Sequence, residues 1–299
     1  MRIIVLGAAA GGGFPQWNSA CPVGERAWRA DPAARWRTQC SLAISAKGNE
    51  WALLNASPDL RQQILSTPAL HPKSGPRNSP IRAVVLTNGD VDHVAGLLSL
   101  RESQPFDLFA TGTILEVLAR NPIFDVLNPR YVTRHRLVLE QPTEILPGLR
   151  AVPFAVPGKV ALYLEAASPE VGAETEDTIG LELQGEGARV CFVPGCARVT
   201  AGLAERLDGA DLLLFDGTLW TDDEMIRSRT GVKTGQRMGH TSVSGGDGSL
   251  AALKGLSIGR RVFLHINNTN PILLEDSPER AEVTAAGWEI AYDGMEIEL

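Results

Sequence analysis

Residues 81–101 read IRAVVLTNGDVDHVAGLLSLR. The run Ile81 to Leu86 is aliphatic and β-branched apart from Arg82, the composition of a buried strand, and it breaks at Asn88 and Gly89 into a polar turn. Asp90, Asp92 and His93 follow within four residues. Asp92 stands at the predicted N-cap of an amphipathic helix whose apolar members are Val94, Leu97, Leu98 and Leu100. Two carboxylates on so short a backbone arc repel one another, and a shared cation relieves that cost. A strand, a polar turn and a helix start, with acids and an imidazole in the turn, predict an α/β fold carrying its chemistry at the strand's end.

The same plan recurs downstream. Asp211 to Asp216 is a buried strand, DLLLF, ending in a lone acid, with Gly217 and Thr218 behind it. Val262 to Ile266 delivers His265 into the polar cluster HINNTNP, and His240 sits in a glycine-flanked loop. An acid at a strand's C-terminal end belongs to a site more often than to a core. Asp90, Asp92, His93, Asp216, His240 and His265 therefore form one candidate constellation, and only His71 and His135 of the five histidines fall outside it. Imidazole with carboxylate suits iron, zinc or manganese. Two histidines and one carboxylate is the set non-haem ferrous enzymes use to admit oxygen, and a hydrolytic zinc or two-metal site is the rival.

Elsewhere the chain alternates in the α/β manner. Strands are predicted at Ile3–Leu6, Asp107–Ala110, Leu137–Leu139, Leu149–Val156, Ala161–Glu165, Ile179–Leu183 and Arg189–Val193, with a hairpin from Cys40–Ser45 and Trp51–Asn55. Helices are predicted at Thr113–Ala119 and Thr200–Leu207, with further starts at Ser57–Pro58 and at Ser277, Pro278 and Glu279. The glycines from Gly7 to Gly13 run into Phe14 and Pro15 instead of opening a helix, so they read as a loop passing close to a site, not a dinucleotide fingerprint. Gln16 to Gly24 reads as polar and irregular, and Ser168 to Asp177 as a polar, mobile loop. No Pro, Gly or Ser run divides residues 1–299, which predicts one domain.

Composition narrows the function. Of 299 residues, 44% are hydrophobic and 21% charged, and the formal charge is -7 with scattered basic residues. That excludes the basic stripe a nucleic-acid partner needs. The apolar run at Ile3–Leu6 is too short for a signal peptide and no stretch has transmembrane length, so a cytoplasmic protein without a membrane segment is expected. Four cysteines, Cys21, Cys40, Cys191 and Cys196, make no disulfide framework in a chain this long.

Against the metallo-β-lactamase superfamily motif HxHxDH, residues 88–93 read NGDVDH: Asn88 and Asp90 replace the first two histidines, while Asp92 and His93 match. More specifically, LGAAAGGGFPQWN, NASPDLRQQ, LTNGDVDHVAGLLSLRE, DGTLWTDDEM, MGH and the segment from HINNTNP to the last residue resemble the coenzyme PQQ synthesis protein B family from end to end. The resemblance implies a metallo-β-lactamase αββα sandwich, and a role in making pyrroloquinoline quinone (PQQ) from a Glu/Tyr-containing peptide. It implies an Fe(II)-dependent hydroxylation of the tyrosine-derived ring, with Asp92, His93 and His265 as metal ligands and Asp90, His240 and Asp216 assisting as catalytic groups. Zinc is the alternative occupant. Carriage of PQQ or its precursor toward the periplasm, and metal-dependent hydrolysis, are the competing activities. Either way the partner is a small molecule, PQQ or its precursor, and the oligomeric state stays open. The family's cysteine-rich knuckle after WN is reduced here to WNSACPVGER with Cys21 alone, so a structural zinc is not expected, since thiolate sites need about four ligands.

Overall fold

The computed structural model describes residues 1–166 and 171–299. Six strands open the chain: β1 (Arg2–Gly7), β2 (Ser41–Ser45), β3 (Trp51–Leu54), β4 (Ile81–Val85), β5 (Phe106–Thr111) and β6 (Val132–Leu137). Seven more follow: β7 (Thr143–Leu146), β8 (Leu149–Gly158), β9 (Ala173–Gly185), β10 (Ala188–Val193), β11 (Leu212–Asp216), β12 (Arg260–Leu264) and β13 (Glu289–Ile290). The last strand, β14 (Glu296–Glu298), returns to the first sheet. One sheet has the order β14-β1-β2-β3-β4-β5-β6 and the other β13-β12-β11-β10-β9-β8-β7.

Period-2 alternation explains why these strands read as unbroken apolar runs. In β1, Ile3 and Val5 enter the core between the sheets, while Ile4 and Leu6 face a layer with Leu60, Leu97, Ile114 and Leu118. In β11, Leu212 and Leu214 face inward, and Leu213 and Phe215 join Leu203, Leu207 and Val283. Each central strand is thus covered on both faces, which calls for continuous hydrophobicity. The result is the expected αββα sandwich.

Strands β3 to β6 are parallel, as are β10 to β13. Their C-terminal ends deliver the Asn88 turn after β4, Asp216 at the end of β11 and His265 after β12. The two sheets are stitched together at these ends. Ile179 N donates to Thr87 O (2.9 Å), Ala10 N to Ile266 O (2.9 Å) and Ile266 N to Ala8 O (3.0 Å). Among the described residues no helix is long and apolar enough to cross a membrane.

Several local expectations are corrected. Asp90, not Asp92, is the N-cap residue, and the helix is one α turn (Val91–Val94) continued as 3₁₀ through Ala95–Leu100. Asp92 thereby lies inside the turn, its carboxylate free for other work. The strand expected at Ala161–Glu165 is a 3₁₀ turn, Leu162–Leu164, fixed by Leu162 N donating to Asp90 Oδ1 and Tyr163 OH to Gly89 O, both 2.8 Å. The strand expected at Leu137–Leu139 precedes it instead, at Val132–Leu137, where Arg134, His135 and Arg136 mark a sheet edge rather than a core. The helix expected from Ser57 begins at Leu60, and Ser57 Oγ instead donates to Gln63 Oε1. Pro22–Trp28 within the segment read as irregular is helical, with Cys21 Sγ accepting from Gly24 N as its cap. Of the polar loop expected from Ser168, residues 168–170 lie outside the described residues, and Ala173–Asp177 belongs to β9.

Candidate metal centre

The turn after β4 is built around Asn88. Its Oδ1 accepts from Asp90 N (2.9 Å) and from His93 Nδ1 (2.7 Å). An amide oxygen can only accept, so His93 carries its proton on Nδ1 and turns the lone pair of Nε2 away. That Nε2 is buried and has no hydrogen-bond partner among the described residues. Burial also pushes the His93 pKa down and so favours the neutral ring, although the charge of Asp92 opposes it.

His265 arrives from the other sheet, with φ at 55°, a left-handed conformation unusual for a side-chain-bearing residue. Its Nδ1 lies 2.8 Å from Thr218 Oγ1 and its Nε2 3.0 Å from Asp92 Oδ2. The rings of His93 and His265 meet edge to face, 5.3 Å between centroids. One ligand atom from each of Asp92, His93 and His265 lies within 4.8 Å of the others. Burial would raise the Asp92 pKa, but His93 and the hydrogen bond from His265 outweigh it and hold the carboxyl well below its usual range. Burial likewise opposes protonation of His265, yet the bond to Asp92 raises its pKa. Anionic Asp92 beside two ring nitrogens is the donor chemistry of a divalent-metal site.

A second group, Asp216, His240 and His265, also lies within ligand distance. Asp216 is fully buried, and its oxygens are already taken. Oδ1 accepts from Thr218 N (3.0 Å) and Thr218 Oγ1 (2.6 Å), and Oδ2 from Cys196 N (3.0 Å) and His240 Nδ1 (2.8 Å). Asp216 therefore orients His240 and does not reach the cavity. The His240 ring stacks on that of His265 at 5.1 Å and 22°.

Asp90, Asp92, His93, His240 and His265 line one cavity of 480 Å³, so five of the six residues singled out in the sequence share it. Gly11 touches it as well: a Cβ there would lie 3.4 Å from Asp92 Oδ2, so the glycine loop does let backbone pass beside the site.

The Beta-lactamase superfamily domain matches residues 50–266. Coenzyme PQQ synthesis protein B of Methylobacterium sp. (strain 4-46) is 56% identical over 299 residues, covering all of both chains. Its counterpart in Xanthomonas campestris pv. campestris (strain B100) is 55% identical over 300 residues, again covering all of both. The chain belongs to the coenzyme PQQ synthesis protein B family. A solved member, Zn(2+)-bound PqqB from Methylobacterium extorquens, matches over the whole of both chains with a TM-score of 0.99 at 56% identity. The fold extends further, to a diphosphatase from the PhnP family with a TM-score of 0.71 at 22% identity, covering 100% of this chain and 98% of that one.

Within this family fold the site also holds residues that sequence reasoning missed. Thr218, Lys159, Glu165 and Lys233 line the same cavity. Thr218 has a sequence signal, its place two residues after a strand-end acid. Lys159 and Lys233 come from loops without periodicity and Glu165 closes a segment that reads as a strand, and only folding brings the three together.

Proposed function

We propose that the chain is a metal-dependent oxidative enzyme of PQQ biosynthesis, hydroxylating the tyrosine-derived ring of a PQQ precursor, with Fe(II) held by Asp92, His93 and His265. The observation that carries this reading is the buried Nε2 of His93, left without a partner among the described residues and belonging to the same ligand cluster as Asp92 and His265. A buried polar atom of that kind is costly unless something absent from the polypeptide satisfies it. Fe(II) in a set of two imidazoles and one carboxylate supplies the chemistry that activates oxygen toward a phenolic ring. The zinc of the Methylobacterium extorquens relative supports metal binding at this fold and makes zinc the alternative occupant.

The chain's own residues divide the remaining work. Asn88 and Thr218 hold the two imidazoles with Nδ1 engaged, the arrangement that fixes ring orientation in metal sites. His240, paired with buried Asp216, is placed in the cavity to take a phenolic proton. Asp90 is held by Leu162 N and lies 4.0 Å from Lys159 Nζ, where it steadies the cavity wall. Leu162, Met225, Val232 and Met238 give that wall an apolar part that sheds water around an aromatic ring. A two-metal hydrolase is disfavoured, because the oxygens of Asn88 and Asp216 are engaged by hydrogen bonds and Asp90 belongs to neither cluster of ligand atoms, which leaves a second ion short of ligands. We further propose a single domain, since the core between the sheets draws on β1 to β4 and β8 to β12 alike, and a cytoplasmic setting.

The test is anaerobic loading with Fe(II), followed by oxygen uptake and mass spectrometry of a phenolic precursor peptide. With ascorbate present as two-electron reductant, gain of one oxygen atom in the ring per O2 consumed is expected, the second oxygen leaving as water. Iron-loaded protein that consumes no oxygen, yet binds PQQ tightly and loses that binding in His265→Ala, would replace the enzyme by a carrier.

A further inference from the structure

The cavity contains a second polar cluster that metal binding leaves without a task. Lys159 Nζ lies 3.1 Å from Glu165 Oε1, while Lys233 Nζ and Arg237 Nη2 each lie 3.1 Å from Glu165 Oε2. These cations pull the Glu165 carboxyl down to about 2 although burial opposes it. Among the described residues one further acid pairs with these cations, Asp90, 4.0 Å from Lys159. Among the described residues three cations thus share two carboxylates, which leaves the cluster a surplus positive charge. Lys159 is nine-tenths buried, so its charge is not screened as a surface lysine's would be. Arg237 lines a neighbouring cleft, whereas Lys159, Glu165 and Lys233 face the cavity that holds Asp92, His93 and His265.

We infer that Lys159 and Lys233 form a carboxylate subsite, with Glu165 and Arg237 holding them converged, which selects an aromatic ligand carrying an acid group away from its metal-binding end. The inference rests on the metal-centre reading for the position of that ligand's other end, and it names the substrate class of the same cavity. A carboxylate entering the seat meets two ammonium groups whose positions are already fixed, so little ordering opposes binding. A purely structural network, stapling the Leu162–Leu164 turn to the loop at Lys233, would show no such selectivity.

The test uses zinc-loaded full-length chain, which is redox-inert, and two probes by titration calorimetry. These are 3-(3,4-dihydroxyphenyl)propionate and 4-methylcatechol, which share a chelating ring and differ in the acid. The wild type should bind the acid about tenfold more tightly, the worth of one charge-assisted contact. Lys233→Gln should remove much of that preference, and the Lys159→Gln/Lys233→Gln pair should bring it within about twofold. Lys233→Arg should keep it, and affinity for 4-methylcatechol should stay level throughout. Equal binding of both probes by the wild type, failure to bind either, or a preference unchanged in Lys233→Gln would overturn the subsite. Zinc content is read separately. Zinc retained in Asp92→Ala would sink the metal-centre reading, while a lysine-dependent ratio of the two affinities would still support the subsite.

Discussion

The two strand ends that build the centre treat their acids in opposite ways. After β4, Asp92 accepts one side-chain hydrogen bond, from His265, and stays open to the cavity. At the end of β11, Asp216 accepts four hydrogen bonds and is sealed off. Both are acids at the C-terminal ends of parallel strands, so position alone does not say which one binds an ion. What separates them is how many lone pairs the surrounding donors have already claimed. On the proposed reading the β4 turn offers two ligands, Asp92 and His93, and the β11 end, through Thr218 and His240, positions the third, His265.

The largest effect should come from removing the histidine that joins the two ends. His265→Ala takes one nitrogen from the ligand set, and metal retention by elemental analysis should fall by more than the roughly 100-fold that marks the upper range for supporting residues. Full retention in that variant would mean that no ion is held between the two strand ends. Next comes stability. Asp216→Asn leaves buried donors facing an amide in place of a carboxylate, and urea unfolding of metal-free protein should show a loss of about 3 kcal/mol. Asp92→Asn should cost less, because a single side-chain bond holds it. The reverse order would mean that Asp92, not Asp216, is the structural acid.

Smaller again are the residues that fix the imidazoles. Asn88→Ala frees His93 Nδ1, and Thr218→Val frees His265 Nδ1, so each should weaken metal binding by about 10–100-fold without abolishing it. Competition with a chelator of known affinity measures both. If Asn88→Ala is silent, the orphaned Nε2 of His93 is not oriented by its ring partner, and the β4 turn loses its role as the ligand-bearing side.

Much of this division was legible in the sequence, for a physical reason. A strand covered on both faces must be apolar throughout, so an acid or imidazole at its end stands out, as Asp92, Asp216 and His265 do. The roles of the two acids were less legible, because the donors that saturate Asp216 include Cys196 N and the Thr218 hydroxyl, contacts that span up to 20 residues of chain. Glu165 was hidden for a different reason. It closes the segment ALYLE, which has the composition of a strand, yet hydrogen bonds to Asp90 and Gly89 fold that segment into a 3₁₀ turn. The cap shifted from Asp92 to Asp90 because a cap needs only the right backbone entry, which either acid in NGDVD offers.

The smallest expected effect sharpens the contrast from the β11 side, through a buried acid whose donors do not suffice. Glu224 accepts from Trp220 N and from Thr269 Oγ1 but forms no ion pair among the described residues, and burial pushes its pKa up to about 7. Its folded pKa exceeds the ordinary glutamate value of about 4.3, so the unfolded chain releases this proton first as pH rises. The stability it contributes is therefore complete below about pH 4 and is lost progressively as pH climbs through about 7. Glu224→Gln keeps a neutral side chain at every pH. Thermal unfolding scans of both proteins between pH 5 and 8 should show the wild type losing a few degrees relative to the variant over that range. Parallel curves would mean that Glu224 is ionised when folded, and that the two hydrogen bonds it accepts satisfy it as fully as four satisfy Asp216.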